Sequence, residues 1–373
     1  MSPLTKPTKV SFLPKGGSED PGQTLTLQAM RAHGTFEVAY GVDLRFFAGI
    51  ATCLLQRPDY LHFDWISRYH VGRNPLVTLA KAIAFWIDLF VVRWVFRTRV
   101  VWSLHNLKPH ESARPEWLHR WAQRMMARRA DWIRVFSEAS TAKACQVLRV
   151  DRSRLRVVPE ASFVGYYPDT VSADEARRRL GVEPQHFILL WLGSIRPYKG
   201  LENLISCFRA AAEPHWRLLI AGRPYVADYA EAIGRAAQAD SRILMFPRFV
   251  PVDELQVFYR AADVVVLPFV DVENSGSLLV AMGFHKPVVA PDLGVIRERL
   301  SAQPALVYQP GGLETALVRL RGCDTQQLRG FGEANHVNVT RHTWAEFAAV
   351  FAMERDRLQA QHKGGGPVLH PDH

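Results

Sequence analysis

The sequence predicts an α/β protein of two doubly wound, Rossmann-like domains facing a cleft, and three observations carry that prediction. Short β-branched or aliphatic runs alternate with longer helical patterns almost throughout, the mark of parallel sheets covered by helices on both faces. With 373 residues, 48% hydrophobic and 22% charged, the chain is too long for one ordinary core and suits two domains; a disordered tail protein is excluded. Charge is uneven: residues 1–165 hold 24 Lys/Arg against 13 Asp/Glu, a net +11, whereas residues 166–373 hold 22 against 23, a net −1. A basic half beside a neutral one suggests that the first meets something anionic, whether nucleic acid, a phospholipid surface or a phosphorylated ligand. The domains are expected at 1–165 and 166–342, with a C-terminal helix and mobile tail over 343–373.

In the first half, the strand Lys9–Leu13 leads into Lys15-Gly16-Gly17-Ser18, a flexible loop placed to face the cleft. The strand Tyr60–Phe63 ends at Asp64. The apolar pattern Leu76–Phe96 reads as a helix, and Lys81, Asp88 and Arg93 break it into runs short of the roughly 20 residues that span a bilayer, so no transmembrane helix is expected. Arg99–Leu104 is a strand running into Trp102-Ser-Leu-His-Asn-Leu-Lys-Pro-His-Glu111. Glu116–Ala130 reads as a helix with Trp117, Trp121 and Met125 on one stripe and Arg120, Arg124 and Arg128 on the next, at i, i+4, i+8 spacing. Aromatic residues beside arginines suit the headgroup boundary of an anionic membrane; a core-facing stripe with a solvated basic face is the alternative. Strands Trp132–Phe136 and Leu155–Val158 complete this half.

After Phe163-Val-Gly-Tyr-Tyr-Pro168 the alternation restarts, with strands at Phe187–Leu192, Arg217–Ala221, Arg242–Phe246, Val264–Leu267, Pro287–Ala290 and Ala305–Tyr308. Ligands of such sheets bind beyond the carboxyl ends of the strands, so the loops there are the candidates for chemistry. In Leu192-Gly-Ser-Ile-Arg-Pro-Tyr-Lys-Gly-Leu201, Gly193 and Gly200 permit close backbone approach while Arg196 and Lys199 bring two cations to one loop, which suits a diphosphate. Asn274-Ser275-Gly276-Ser277 enters an apolar helix whose N-terminus offers N–H groups to an anion, unless Ser275 or Ser277 is simply its N-cap. The pattern Thr343–Gln361 is the last helix.

Four scattered cysteines without a C-x-x-C pair indicate neither a disulfide framework nor a zinc knuckle. The N-terminus lacks the apolar region of a signal peptide. His110-Glu-Ser-Ala-Arg lacks the second histidine of a zinc helix, so no metal is expected. A nucleic-acid-binding protein is the reading from another class, but no helix-turn-helix, zinc or RNA-recognition signature accompanies the basic half. No nucleic-acid partner is therefore expected.

The Arg/Lys loop, Ala221-Gly-Arg-Pro-Tyr225, Phe246-Pro-Arg-Phe-Val250, Ala261–Phe269 and the Asn274–Ser277 turn follow one another in an order that resembles the donor half of glycosyltransferases with the GT-B architecture, family 4 above all. The resemblance implies diphosphate ligands at Arg196 and Lys199, a base-lining loop at Arg248 and Phe249, and a turn facing donor sugar and phosphate at Glu273, Asn274 and Ser275, with Gly276 and Ser277 as amide donors. Where family 4 enzymes carry two glutamates, this chain has Val272 and Val280, with Glu273 beside the first. The Trp102–Glu111 string, taken with the two donor loops, is similar to bacterial exopolysaccharide β-mannosyltransferases of the xanthan type. That likeness implies inverting transfer from GDP-mannose to a polyprenyl-diphosphate-linked oligosaccharide, with no cofactor beyond the nucleotide-sugar substrate; the alternative is retaining, family 4-type transfer from a UDP-sugar or another GDP-sugar. A single displacement needs a base for the acceptor hydroxyl proton; Glu111 is the first candidate, then His110, His105 and Asp64, while Asn106 would orient the loop. Such an acceptor implies a cytoplasmic protein, peripheral on the inner face of the plasma membrane.

Overall fold

The computed structural model describes residues 6–16, 21–107, 115–211 and 213–363. The chain forms two units, Met1–Glu160 with Thr343–His373, and Ala161–His342.

The first unit is built on a parallel sheet of β1 (Thr8–Leu13), β2 (Phe36–Tyr40), β3 (Tyr60–Phe63), β4 (Arg99–Ser103), β5 (Trp132–Val135) and β6 (Leu155–Val157), in the order β2-β1-β3-β4-β5-β6. The order reverses between β1 and β3, and the loops leaving these two strands therefore open a crevice at their carboxyl ends. Strand β2 escapes the sequence reading because Phe36-Glu-Val-Ala-Tyr40 lies at the sheet edge with Glu37 and Ala39 exposed, so it lacks the continuous aliphatic run of an interior strand. The final helix, Trp344–Lys363, does not form a separate segment. Its Phe347, Ala348, Phe351 and Ala352 stripe covers one face of this sheet, with the Phe351 ring 5.2 Å from Tyr60, 5.4 Å from Phe36 and 5.5 Å from Trp132. The tail beyond it, expected to be mobile, lies outside the described residues.

The helix Pro75–Trp94 covers the other face. Asn74 caps it by accepting the Val77 N–H at 2.9 Å, and Pro75 takes the first position, where no N–H is needed. Phe85, Leu89 and Val92 enter the core beside Leu61, Phe63 and Trp102. By length and composition alone this helix could cross a bilayer, its charged residues notwithstanding, but one of its faces is packed into the core. Those charges turn inward: Lys81 Nζ donates to the carbonyls of Arg68 (2.5 Å) and Val71 (2.7 Å), and Asp88 accepts from the amides of Gly49 (2.9 Å) and Ile50 (2.7 Å). Its outer face is left apolar, with Leu76, Leu79, Ile83, Trp86, Phe90 and Trp94 exposed.

The second unit carries β7 (Phe187–Leu192), β8 (Trp216–Ala221), β9 (Ile243–Phe246), β10 (Val264–Val266), β11 (Val288–Pro291) and β12 (Val307–Tyr308), ordered β12-β11-β10-β7-β8-β9. Each predicted run is a strand, with its ends moved by no more than two residues. Here the order reverses between β7 and β10, the neighbours whose loops hold the predicted donor residues. Together the two sheets give the two-domain GT-B α/β fold.

Candidate active site

In the second unit, the loop leaving β7 is tied to the loop leaving β8 through Gly193 N–H to Ala221 O (3.0 Å), Ile195 N–H to Arg223 O (2.9 Å) and the bridge Ile195–Pro224. Two glycines make this possible. A Cβ on Gly222 (φ 147°) would sit 1.7 Å from Gly193 O, and one on Gly200 (φ 72°) 2.0 Å from Pro268 O, so neither place admits a side chain. Gly193 instead faces the functional groups: a Cβ there would lie 2.8 Å from Lys199 Nζ and 3.7 Å from Ser277 Oγ. Bare backbone, an ammonium and a helix start thus converge at the switch point between β7 and β10.

Burial, and then the neighbouring Arg196 charge, lower the Lys199 ammonium to about 8. Its Nζ also lies 5.8 Å from the Phe269 ring centroid. The Arg196 guanidinium stacks 4.0 Å from the Tyr225 ring, which Arg223 approaches at 5.5 Å. Ser275 is the N-cap of the helix Gly276–Gly283, its Oγ accepting from Leu278 N–H at 3.2 Å, so capping takes up its hydroxyl; Ser277 is the serine that faces Gly193. A Cβ on Gly276 would meet open space. Glu273 is buried and Asn274 half-buried just before the cap. Arg248 donates to Glu254 Oε2 at 2.6 Å, while Phe249 is exposed beside it. Val280 is buried and lines a pocket with Phe163, Val164, Tyr167 and Phe284, whose wall also includes Asp169, His285 and His336.

In the first unit, the crevice between β1 and β3 holds Asp64. Gln23 Nε2 donates to Asp64 Oδ2 (2.6 Å) and to Pro14 O (3.0 Å), and Gln23 Oε1 accepts from Gly16 N–H (2.6 Å). His105 Nε2 lies 3.3 Å from Asp64 Oδ1, and the imidazole stacks on Trp65 at 4.7 Å and contacts Phe136 at 4.9 Å. Burial pushes the Asp64 carboxyl up, but His62, His105 and Gln23 outweigh it and hold the group near 2. His62, bonded to Ser103 Oγ at 2.9 Å, is itself lowered by burial to about 4 and is neutral at pH 7, so the Gln23 and His105 hydrogen bonds keep Asp64 ionised there. An ionised carboxylate only accepts; it therefore fixes the His105 proton on Nε2 and leaves Nδ1 as the basic nitrogen of the neutral ring.

Asn106 follows, its carbonyl accepting from Gln123 Nε2 at 3.1 Å. Lys15 is exposed, with Nζ 5.6 Å from the Tyr40 ring. Gly17, His110 and Glu111 lie outside the described residues. On the helix Glu116–Arg129, Trp117 and Trp121 are exposed as the stripe predicts, whereas Met125 is buried in the core. Arg120 pairs with Glu116 at 2.7 Å, and Arg124 Nε donates to Val147 O at 3.0 Å. Among the described residues, no group of three or more His, Cys, Asp or Glu side chains is placed to hold a metal, and the four cysteines are free thiols.

Sequence reasoning missed Gln23, His62, Tyr225 and Arg223. No motif marks the first two; the Arg223-Pro-Tyr225 run belonged to the ordered set without being given a role.

Residues 186–321 match the family of glycosyl transferases group 1. The chain is 30% identical over 333 residues to a GDP-mannose:glycolipid 4-beta-D-mannosyltransferase of Xanthomonas campestris pv. campestris, covering 88% of this chain and 87% of that protein. A second protein of the same description from that organism is 31% identical over 252 residues, 67% of this chain and 66% of the relative. Among solved structures, Anabaena HepE in complex with UDP and glucose superposes with a TM-score of 0.71 at 19% identity, over 94% of this chain and all of that one, a likeness of fold.

Proposed function

The chain belongs to the glycosyl transferases of group 1, and from that premise we propose that it transfers mannose from GDP-mannose, with inversion, to an oligosaccharide carried on a polyprenyl diphosphate during exopolysaccharide assembly. The convergence of Gly193, Lys199 and Ser277 at the switch point of the second sheet carries the reading. A nucleotide diphosphate placed there meets the Lys199 ammonium, the Arg196 guanidinium and the N–H groups of Gly276 and Ser277. In the transfer, an acceptor hydroxyl oxygen bonds to the anomeric carbon as the bond from that carbon to the diphosphate oxygen breaks. The bonding pair leaves with the diphosphate, whose growing charge these donors stabilise. The acceptor proton passes to a base, and Nδ1 of His105, with its ring oriented by Asp64, suits that task. Glu111 is the other candidate. Valines at 272 and 280 support inversion, since neither position supplies a carboxylate to the donor.

GDP-mannose and a glycolipid acceptor are in the printed description of the Xanthomonas relatives. Attachment to the inner face of the plasma membrane draws support from the apolar outer face of the helix Pro75–Trp94 and from Trp117 and Trp121, set in a strongly basic half.

Incubation with GDP-mannose or UDP-glucose and a polyprenyl-diphosphate oligosaccharide, with the product anomer read by NMR, tests the reading. A β-mannoside from GDP-mannose is expected; an α-linked product, or turnover with UDP-glucose alone, overturns it. His105→Gln should lower kcat by about 10²–10⁴ with donor affinity unchanged, and undiminished turnover would pass the base role to Glu111.

A further inference from the structure

The first unit holds a recess of about 790 Å³ at the end of its sheet opposite the candidate base site. Asp64 and His105 follow the carboxyl ends of β3 and β4, whereas this recess opens at the amino ends of β1, β3 and β4. One strand length, about 15 Å, separates the two. Its wall is formed by the start of β1 and by two connections, one from the helix Ala48–Gln56 into β3 and one from the helix Pro75–Trp94 into β4. Lys6, Lys9, Arg57, Arg97 and Arg99 line it, and among the described residues Asp59 is the one acidic group in the wall. That carboxylate is engaged, Oδ2 accepting from Lys9 N–H at 2.8 Å. The Asp59 carbonyl accepts from Arg99 N–H at 3.0 Å, and Thr98 Oγ1 donates to Pro58 O at 3.2 Å, so the two connections are fastened to each other.

Each connection sets an arginine in the left-handed region, Arg57 at φ 47° and Arg97 at φ 57°. Glycine or asparagine would hold such a position at lower cost, so both turns carry a long cation that the backbone does not call for. Both side chains are exposed, and among the described residues neither makes an ion pair or a side-chain hydrogen bond. Lys9 has a partner in Glu37, at 3.8 Å. Arg99 donates through Nη2 to Leu358 O at 3.1 Å, while its Nη1 is buried without a hydrogen-bond partner. The Oη of Tyr60, a residue only 2% exposed, is likewise buried and unpartnered. Such donors lose the hydrogen bonds that water gave them, and an oxyanion with several oxygens can restore them while it joins the guanidinium groups. The lining is more polar than apolar, with Thr8, Thr98 and Gln359 beside the charged groups, and its volume is that of a small-molecule site. We propose that this recess binds a soluble phosphate ester of sugar-phosphate size, with Arg57, Arg97 and Arg99 on the phosphate oxygens. The proposal is independent of the donor and acceptor assigned above.

Calorimetric titration of the full chain with glucose 6-phosphate, in saturating GDP to fill the proposed diphosphate site of the second unit, tests it. One equivalent should bind. The double substitution Arg57→Gln/Arg97→Gln should weaken that binding about a hundredfold, roughly tenfold for each charged hydrogen bond lost, and leave GDP affinity unchanged. Arg178→Gln/Arg235→Gln, which removes two exposed charges from the second unit, should have no effect. Hydrogen exchange on the unsubstituted chain locates the ligand without any variant: glucose 6-phosphate should protect residues 54–60 and 96–99. Absence of binding, undiminished binding by the double variant, or protection confined to residues 193–200 and 274–278 would overturn the proposal. Equal affinity for inorganic sulfate would reduce the recess to an adventitious anion site. Tighter binding to phosphatidylglycerol vesicles or to a single-stranded oligonucleotide, lost in the double variant, would overturn it by assigning the recess to a lipid or nucleic-acid phosphate.

Discussion

Replacing Lys199 with methionine separates what this residue does for the donor from what it costs the fold. The substitution keeps an unbranched side chain of similar length in the half-buried space beside Gly193 and Phe269 and removes only the ammonium. Loss of a hydrogen bond to a charged group, about 1.5–3 kcal/mol, should raise the Kd for GDP by roughly 10- to 150-fold. Stability should move the other way. Burial lowers Lys199 from 10.5 to about 8, so the folded state holds this proton less tightly than the unfolded chain. The penalty is complete below pH 8 and vanishes above pH 10.5. Fully expressed, such a shift is worth about 3 kcal/mol, and solvent screening at a half-buried site reduces it to about 1–2 kcal/mol. Without ligand, the variant should therefore be more stable than the parent by that amount at pH 7, with the gap closing near pH 10.5. Calorimetric titration with GDP and urea denaturation at the two pH values measure both effects. Unchanged GDP affinity would refute the diphosphate contact, and a variant less stable at pH 7 would refute the desolvated ammonium.

Gly222→Ala should destabilise the second unit by about 3 kcal/mol or more, because its Cβ would overlap Gly193 O at 1.7 Å. Gly234→Ala, where the added methyl meets open space in the helix Ala227–Gln238, should be neutral or stabilising by up to about 1 kcal/mol; equal urea midpoints for the two variants would refute the close approach. Acid should weaken the first unit through His62, whose folded value near 4 lies below its ordinary 6.5. The unfolded chain takes up this proton first, so about 3 kcal/mol of stability, intact above pH 6.5, is lost as pH falls to 4. His62→Asn should flatten the urea-midpoint profile across that interval, and superimposable profiles would exclude the buried neutral imidazole.

The second half was legible because its candidate site lies in short strings. A strand, a glycine, two cations and a second glycine occur within Leu192–Leu201, and the order of later loops ties that string to a fold. The first half was less legible because the central contact of its candidate site joins residues 41 positions apart, Asp64 and His105. Only the adjacency of β3 and β4 brings their trailing loops together, and Gln23 enters from a helix that carries no motif. The inward charges of the helix Pro75–Trp94 mark another limit. Lys81 and Asp88 read as interruptions of an apolar run, yet each is satisfied by backbone groups of neighbouring segments, so the outer face keeps its hydrocarbon.

The uneven charge of the chain follows from these placements. A diphosphate is recognised at contact distance, where two or three cations and a helix start suffice, and the second unit reaches that with Arg196, Lys199 and Arg223 in a half whose net charge is −1. The excess of +11 in residues 1–165 is far more than a base needs. The described part of the proposed base site is built on hydrogen bonds to the ionised Asp64 carboxylate, not on cations. Attraction to an extended anionic surface, by contrast, grows with each exposed cation and falls off within about 10 Å at moderate salt. Positive charge in a half that exposes Trp86, Trp94, Trp117 and Trp121 is therefore best matched to a surface, while the two proposed reaction sites depend on a few groups held in place by buried hydrogen bonds and glycine turns.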